Sequence, residues 1–236
     1  MKKGLIITID GPSGAGKSTV AKILARSLGY AYIDTGAMYR GIAYAFKQRG
    51  SGEAGKRDTG ALPDKKDPQS PLETFLKNLS IRFEFGETAR VFLDDIDISE
   101  EIRAPEISLL ASNLSQKKEV RMYLTKKQRE TGEKGRIVME GRDTGSVVFP
   151  DADIKFYLDA NPDERVKRRY LELSAKGVDS EISSVKEEMS KRDRNDSERD
   201  IAPLVVPDGA VIIDTTGIDA KGAADMLINY IQLLER

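Results

Sequence analysis

Three features of the sequence predict an α/β fold built on a parallel sheet. Short apolar, β-branched runs alternate with stretches of helical periodicity. The first such run leads directly into a glycine-rich loop, and that loop directly into a helix. Polar clusters follow other strand runs at once, where open parallel sheets bind their ligands.

The elements can be read in order. Leu5-Ile6-Ile7-Thr8-Ile9 is a continuous apolar run, as a strand buried on both faces must be. Over 17–28, Val20, Ile23, Leu24 and Leu28 recur at helical spacing, and Gly29 stands at the C-terminal cap. Residues 30–33 read as a second strand and 37–48 as a helix that stops at Gly50. The segment 51–70 is dense in Gly, Asp, Lys and Pro and reads as a mobile surface loop. Alternating runs at 80–85 and 90–94, around a Gly86-Glu87 turn, predict a hairpin. Helices follow at 105–114 and 118–131, the second rich in basic residues. Core strands are expected at 136–139 and 154–158. Asn161-Pro162-Asp163-Glu164 is a helix start, with a capping amide, Pro at the first position and two acids at the positive dipole end. A charged helix over about 181–194, a strand at 211–213 and a last helix at 221–234 complete the chain. That last helix turns Ala224, Leu227, Ile228, Ile231 and Leu234 to the core. The hairpin and basic helices of about 51–135 break the strand–helix alternation and read as an insertion.

Composition narrows the chemistry. Lys plus Arg (38) balances Asp plus Glu (39), so nothing global argues for nucleic acid or an anionic membrane. No apolar run approaches the roughly 20 residues that span a bilayer, and the short apolar start runs into the glycine loop rather than forming a signal segment; a cytoplasmic protein is expected. There is no Cys, hence no disulfide, thiolate metal site or cysteine nucleophile. There is also no His, the commonest general base. Lys, Arg, carboxylates, hydroxyls and backbone amides remain, an inventory that suits phosphoryl transfer.

The loop Gly11-Pro12-Ser13-Gly14-Ala15-Gly16-Lys17-Ser18 fits G-x-x-x-x-G-K-[ST] between a strand and a helix. Glycines let the backbone curl so that successive N–H groups point inward, and the helix N-terminus adds partial positive charge. Lys17 can reach the β- and γ-phosphates, and Ser18 can offer its hydroxyl to Mg²⁺. A chance glycine-rich turn is the alternative, and the strand–helix context weighs against it. No Asn-Lys-x-Asp motif for reading guanine is present.

Three clusters bear on a second substrate. Asp34, Thr35 and Arg40 lie in or just after the second strand; Arg40 is either a bidentate phosphate clamp or an ordinary solvated helix Arg. Glu140-Gly141-Arg142-Asp143-Thr144-Gly145 follows a core strand and can aim Arg142 at a phosphate and Asp143 at a donor group, or form a structural Arg–Asp pair. The third is the basic run Arg165, Lys167, Arg168, Arg169, with a later stretch from Arg192 to Arg199. Such runs are usually solvated faces, yet transfer between two polyphosphates needs several cations, which a mobile Arg-rich arm supplies while excluding water.

GPSGAGKS, DTGAMYR, EGRDTGSVVFPDA and RDRNDSERDIAPL, in this order and across essentially the whole chain, resemble bacterial cytidylate kinases of the nucleoside monophosphate kinase group. The resemblance implies one kinase domain over 1–236. Its core would be a five-stranded parallel sheet (about 1–35, 136–160 and 200–236), with an enlarged monophosphate-binding region (about 36–135) and a short lid (about 161–199). It implies an ATP site at residues 11–18 with Thr19, Arg165, Arg168 and Arg169, and Mg²⁺ on Ser18. Thr35, Arg40 and Arg142, beside Asp34, would hold the acceptor phosphate. Ser112, Arg121 and Asp143 would read cytosine, Asp196 and Arg199 would bind the ribose, and Arg192 would approach the transferred phosphoryl group. Lys17, Arg142 and Arg192 are thus the implied catalytic set. Thr35 stands where Ser is common, and Ser18 keeps the hydroxyl that some relatives replace by Gly.

The base assignment follows hydrogen-bonding logic. An ionised Asp143 only accepts, which suits the N4 amino group of cytosine; uracil would oppose it with an oxygen. The implied reaction is in-line transfer from ATP–Mg²⁺ to CMP or dCMP in a monomer that needs neither nucleic acid nor membrane. The competing readings are a kinase that accepts UMP, and a nucleic-acid-dependent ATPase using the basic helix at 117–129.

Overall fold

The structure, a computed structural model, describes residues 4–50 and 70–234; the loop expected at 51–70 lies outside the described residues except for Ser70. In chain order the strands are β1 (Ile6–Asp10), β2 (Ala31–Asp34), β3 (Ile81–Glu84), β4 (Arg90–Leu93), β5 (Ile96–Asp97), β6 (Ile137–Glu140), β7 (Ile154–Asp159) and β8 (Val211–Asp214). The helices are α1 (Lys17–Leu28), α2 (Thr35–Gly50), α3 (Pro71–Lys77), α4 (Pro105–Leu114), α5 (Lys118–Gly132), α6 (Pro162–Ala175), α7 (Ile182–Glu198) and α8 (Ala220–Leu234). They form two compact units: Met1–Thr35 with Phe85–Thr88 and Gln128–Arg236, and Gly36–Glu84 with Ala89–Lys127.

The first unit is organised by a five-stranded sheet in the order β2-β6-β1-β7-β8, and every strand pair in it is parallel. The inner strands β1 and β6 are buried on both faces, which is why their sequences run apolar without alternation. Register sets Ile9 opposite Glu140 and Asp10 opposite Tyr157, so the polar residues that close these strands come out side by side. Helix α1 buries Val20, Ala21, Leu24 and Ala25 and packs against α8, which buries Ala223, Ala224, Leu227 and Ile231. Leu234, expected in that core, is exposed: it is the last residue of α8, and periodicity does not mark where the neighbouring surface ends. Helices α6 and α7 bury Val166, Leu173, Val185 and Met189 against one another.

The second unit holds an antiparallel sheet, β3-β4-β5, in which Ile81 pairs with Leu93. The hairpin is therefore extended by a two-residue strand too short to show periodicity. Helix α2 lies close on this sheet at Gly41, where a Cβ would meet Val91 Cγ1 at 2.9 Å. Helix α3 is entered through Ser70, whose side chain accepts from the Glu73 N–H at 3.2 Å, and Phe75 on it meets Phe46 edge to face.

Candidate active site

The glycine loop follows β1 and ends at the first turn of α1. Gly14 and Gly16 take φ of 78° and 84°, which side-chain-bearing residues rarely adopt, and this curls the loop back over the helix start. Lys17 is nearly buried, and its Nζ donates to the Pro12 carbonyl at 2.6 Å. Burial, followed by the Arg142 and Arg192 charges, lowers the Lys17 pKa, while Glu140 and Asp10 oppose them.

Next to it the loop after β6 begins, with the Gly141 N–H donating to the Ile9 carbonyl at 3.0 Å. Arg142 donates through Nε to Asp196 Oδ2 at 2.8 Å and through Nη1 to the Gly141 carbonyl at 3.2 Å. Asp143 is buried, its Oδ1 at 3.5 Å from Arg199 Nη2, and Arg199 Nη1 is 3.6 Å from Asp196 Oδ1. The local Arg142–Asp143 pair is thus replaced by crossed pairs that reach α7 and its end. Burial opposes ionisation of Asp196, but Arg142, Arg192 and Arg199 outweigh it and hold the carboxyl below its usual range. Around Arg142 the same balance favours charge: burial works against it, and Asp196 more than offsets that.

The β2 end completes this corner. Thr35 donates its hydroxyl to the Glu140 carbonyl at 2.7 Å, and Tyr32 donates to Glu140 Oε1 at 2.6 Å. Burial and then the neighbouring Asp34 charge raise the Glu140 pKa, and burial and Glu140 together keep the Tyr32 phenol protonated. The Ser18 hydroxyl also hydrogen-bonds to Glu140. Magnesium favours hard oxygen ligands and is commonly bound by one or two carboxylates together with substrate phosphates. The oxygen-rich corner of Ser18, Glu140 and Asp34 fits a Mg²⁺ that arrives with a nucleotide. Among the described residues no group of three or more His, Cys, Asp or Glu could hold a metal alone.

The basic run on α6 divides in three. Arg165 is buried and donates to the Ala160 and Ser13 carbonyls at 3.1 and 3.0 Å. Arg168 donates to the Thr215 carbonyl at 2.6 Å and pairs with Glu164 at 3.0 Å. Arg169 pairs with Glu172 at 2.8 Å. Thr19 is exposed on α1. In the second unit, Arg121 is buried, donates to the Ser115 carbonyl at 3.2 Å and lies 5.7 Å from the Tyr39 ring centroid. Ser115 in turn donates to the Ser112 carbonyl at 2.7 Å, so Ser112 and Arg121 meet around it. Arg40 follows Tyr39 on α2.

Asp10, Tyr32, Glu140 and Ser115 of these networks carry no role in the sequence reading, and neither does Asp193 on α7, which accepts from the Ser13 N–H at 3.3 Å. Asp10 had a signal, since a carboxylate closing an otherwise apolar strand needs a buried partner. Asp193 sat in a charge run that hides which member turns inward.

A central strand–glycine loop–helix unit in a parallel sheet, with cations gathered at neighbouring strand ends, defines a P-loop kinase of the α/β class. The family described as cytidylate kinase matches residues 7–233. Cytidylate kinases from Bacillus cereus and Bacillus thuringiensis are each 42% identical over 234 residues, spanning 98% of this chain and 97% of theirs. The chain belongs to the cytidylate kinase family. In fold, it is similar to the crystal structure of an uncharacterized protein from Eubacterium ventriosum, with a TM-score of 0.51 and 17% identity over 98% of this chain and 99% of that one.

Proposed function

We propose that this phosphotransferase phosphorylates CMP and dCMP to CDP and dCDP at the expense of ATP, by direct in-line transfer of the γ-phosphoryl group. The observation that carries the reading is the adjacency of two loops on parallel strands: the glycine loop after β1 and the Arg142-Asp143 loop after β6, joined by the Gly141 N–H to Ile9 carbonyl bond of 3.0 Å. Triphosphate and monophosphate would then meet at the C-terminal edge of the sheet, with Lys17 and Arg142 on either side of the transferred group.

An oxygen of the monophosphate attacks the γ-phosphorus, the bond from that phosphorus to the β,γ-bridging oxygen breaks, and ADP leaves. The attacking oxygen is already anionic, so no strong general base is needed, in keeping with a chain that has no His. Lys17, Arg142 and Arg192 neutralise charge on the transferred group; Arg165, Arg168 and Arg169 belong to the ATP side with Thr19. Thr35 and Arg40 hold the acceptor phosphate with Arg142, Ser112 and Arg121 donate to cytosine O2 and N3, Asp143 accepts from N4, and Asp196 and Arg199 take the ribose. Ser18 would hold Mg²⁺, which shields the phosphate oxygens when bound with ATP. The reading includes a monomer acting in the cytoplasm on small molecules, without nucleic acid or membrane; charge balance and the family likeness support it.

A coupled ADP assay with ATP–Mg²⁺ and CMP, dCMP, UMP, AMP or GMP tests this. Turnover is expected with CMP and dCMP far above the others. Comparable turnover of UMP would overturn the role given to Asp143, and ADP release that requires nucleic acid rather than CMP would overturn the kinase reading.

A further inference from the structure

Both backbone polar groups of Ser13 are taken by side chains from outside the glycine loop. Its N–H donates to Asp193 Oδ1 at 3.3 Å, and its carbonyl accepts from Arg165 Nη1 at 3.0 Å. The same Nη1 lies 2.5 Å from Asp193 Oδ2, so Ser13, Arg165 and Asp193 close a ring of hydrogen bonds. Arg165 is anchored in turn through Nε to the Ala160 carbonyl at 3.1 Å, just past β7. At Gly14 a Cβ would come within 2.8 Å of the Arg165 carbonyl and 3.0 Å of Met189 Cε. Met189 lies one helical turn before Asp193 on α7. The bend of the loop is therefore held from α6 and α7 as well as by its own glycines.

The pair differs from a solvated surface bridge. The Arg165 and Asp193 side chains are 10% and 23% exposed, so the interaction is weakly screened and its geometry is fixed. Three residues further along α7, Asp196 accepts from Arg142 Nε at 2.8 Å. One turn of a single helix thus grips the donor loop through Asp193 and the loop after β6 through Asp196.

We propose that Asp193 is a positioning residue. Paired with Arg165, it sets the curl of residues 13–14 that the triphosphate meets, and through α7 it links this loop to Arg142, so that filling one substrate site favours the other. The second half rests on the reading of Arg142 as a ligand of the acceptor phosphate.

The test uses wild type, Asp193→Ala and Asp193→Asn. Asparagine keeps an acceptor for the Ser13 N–H but loses the charge that pairs with Arg165, so it also serves if the alanine variant fails to fold. Dissociation constants are measured calorimetrically for ATP with a β,γ-methylene bridge and for CMP, each alone and in the presence of the other, alongside Tm. Asp193→Ala is expected to weaken the triphosphate about tenfold and Asp193→Asn about threefold, with CMP alone changed by less than about twofold. The factor by which the triphosphate tightens CMP is expected to exceed one in wild type and to fall toward one in both variants. A lowered Tm with triphosphate affinity and coupling factor at wild-type values would make Asp193 merely structural and overturn the proposal. So would a wild-type protein in which the two ligands bind independently. Failure of CMP to bind wild type would instead strike the functional reading, and the triphosphate measurements would still decide whether Asp193 shapes the loop.

Discussion

Lys17 is nearly buried, donating to the Pro12 carbonyl at 2.6 Å, and burial and the charges of Arg142 and Arg192 work against its protonation. A triphosphate reverses that balance, because it brings anionic oxygens to a cation shielded from water, where charge interactions are strongest. Lys17→Ala is therefore expected to lower kcat by roughly 10²–10³ with every acceptor, read from steady-state ADP release. Asp143 has a different part in the proposed reaction: a carboxylate only accepts hydrogen bonds, so it would discriminate between an amino group and a carbonyl at the same ring position. Asp143→Ala is expected to reduce the kcat/KM preference for CMP over UMP by on the order of a hundredfold. Selectivity-neutral losses of equal size in the two variants would dissolve this division of roles. Both residues were singled out in the sequence, since each sits in a motif at a strand end. Asp193 was not, because nothing local separates the Asp that turns toward Ser13 from its solvated neighbours.

The turn after β6 shows why some elements escape local reading. Thr144–Val148 forms a π-helical turn, and its start is held from the end of β1. Asp10 accepts from the Thr144 N–H at 2.9 Å, the Thr144 hydroxyl at 2.8 Å and the Gly145 N–H at 2.7 Å. Burial, partly offset by those N–H groups, lifts the Asp10 carboxyl from 3.8 to about 6. The folded value lies above the unfolded one, so between these pH values the native state takes up a proton that the unfolded chain does not. The linked stability is fully present below about pH 4 and is lost as pH rises through about 6. Asp10→Asn cannot titrate there, and its amide sets a donor against backbone donors. Urea unfolding from pH 4 to 8 should show the wild-type-minus-variant stability falling by about 3 kcal/mol as pH rises and levelling above pH 7. A flat difference would show that Asp10 ionises as an exposed carboxyl does. Elements with local signals were read correctly: Asn161 caps α6 by accepting from the Asp163 N–H at 2.9 Å, and Gly29 closes α1 with its N–H on the Arg26 carbonyl. Helix α3 carried the same kind of start in Ser70 and Pro71, masked by the loop-like composition before it. Helix α7 runs on to Glu198, four residues past the expected end, because Asp196 is held there by Arg142 and not by helix propensity.

Over the whole molecule, the near balance of 38 basic and 39 acidic residues conceals the feature that matters, which is where the cations collect. The parallel sheet was predictable because its inner strands are apolar on both faces. Its order, β2-β6-β1-β7-β8, was not, since it depends on pairings such as Ile6 with Ile137 that link residues far apart in sequence. The family resemblance supplied the five strands without their register. The Arg142 and Arg192 charges act on Lys17 against those of Glu140 and Asp10, so phosphates bound beside it would tip the balance toward its charged form. Ligands that bind only the native state stabilise it by mass action: at about a hundred times Kd the gain is ~2.7 kcal/mol. For a chain of this size that corresponds to a rise in Tm of ~5–10 °C. Differential scanning calorimetry with the β,γ-methylene ATP analogue and CMP together is expected to reach this range, and UMP at the same concentration to fall well short of CMP. Sodium sulfate at matched ionic strength separates relief of charge from recognition of the base, because it supplies anions without a ring for Asp143 to read. A Tm that sulfate raises as far as CMP does would leave a generic anion site, and the cytosine assignment would fail while the phosphate site stood.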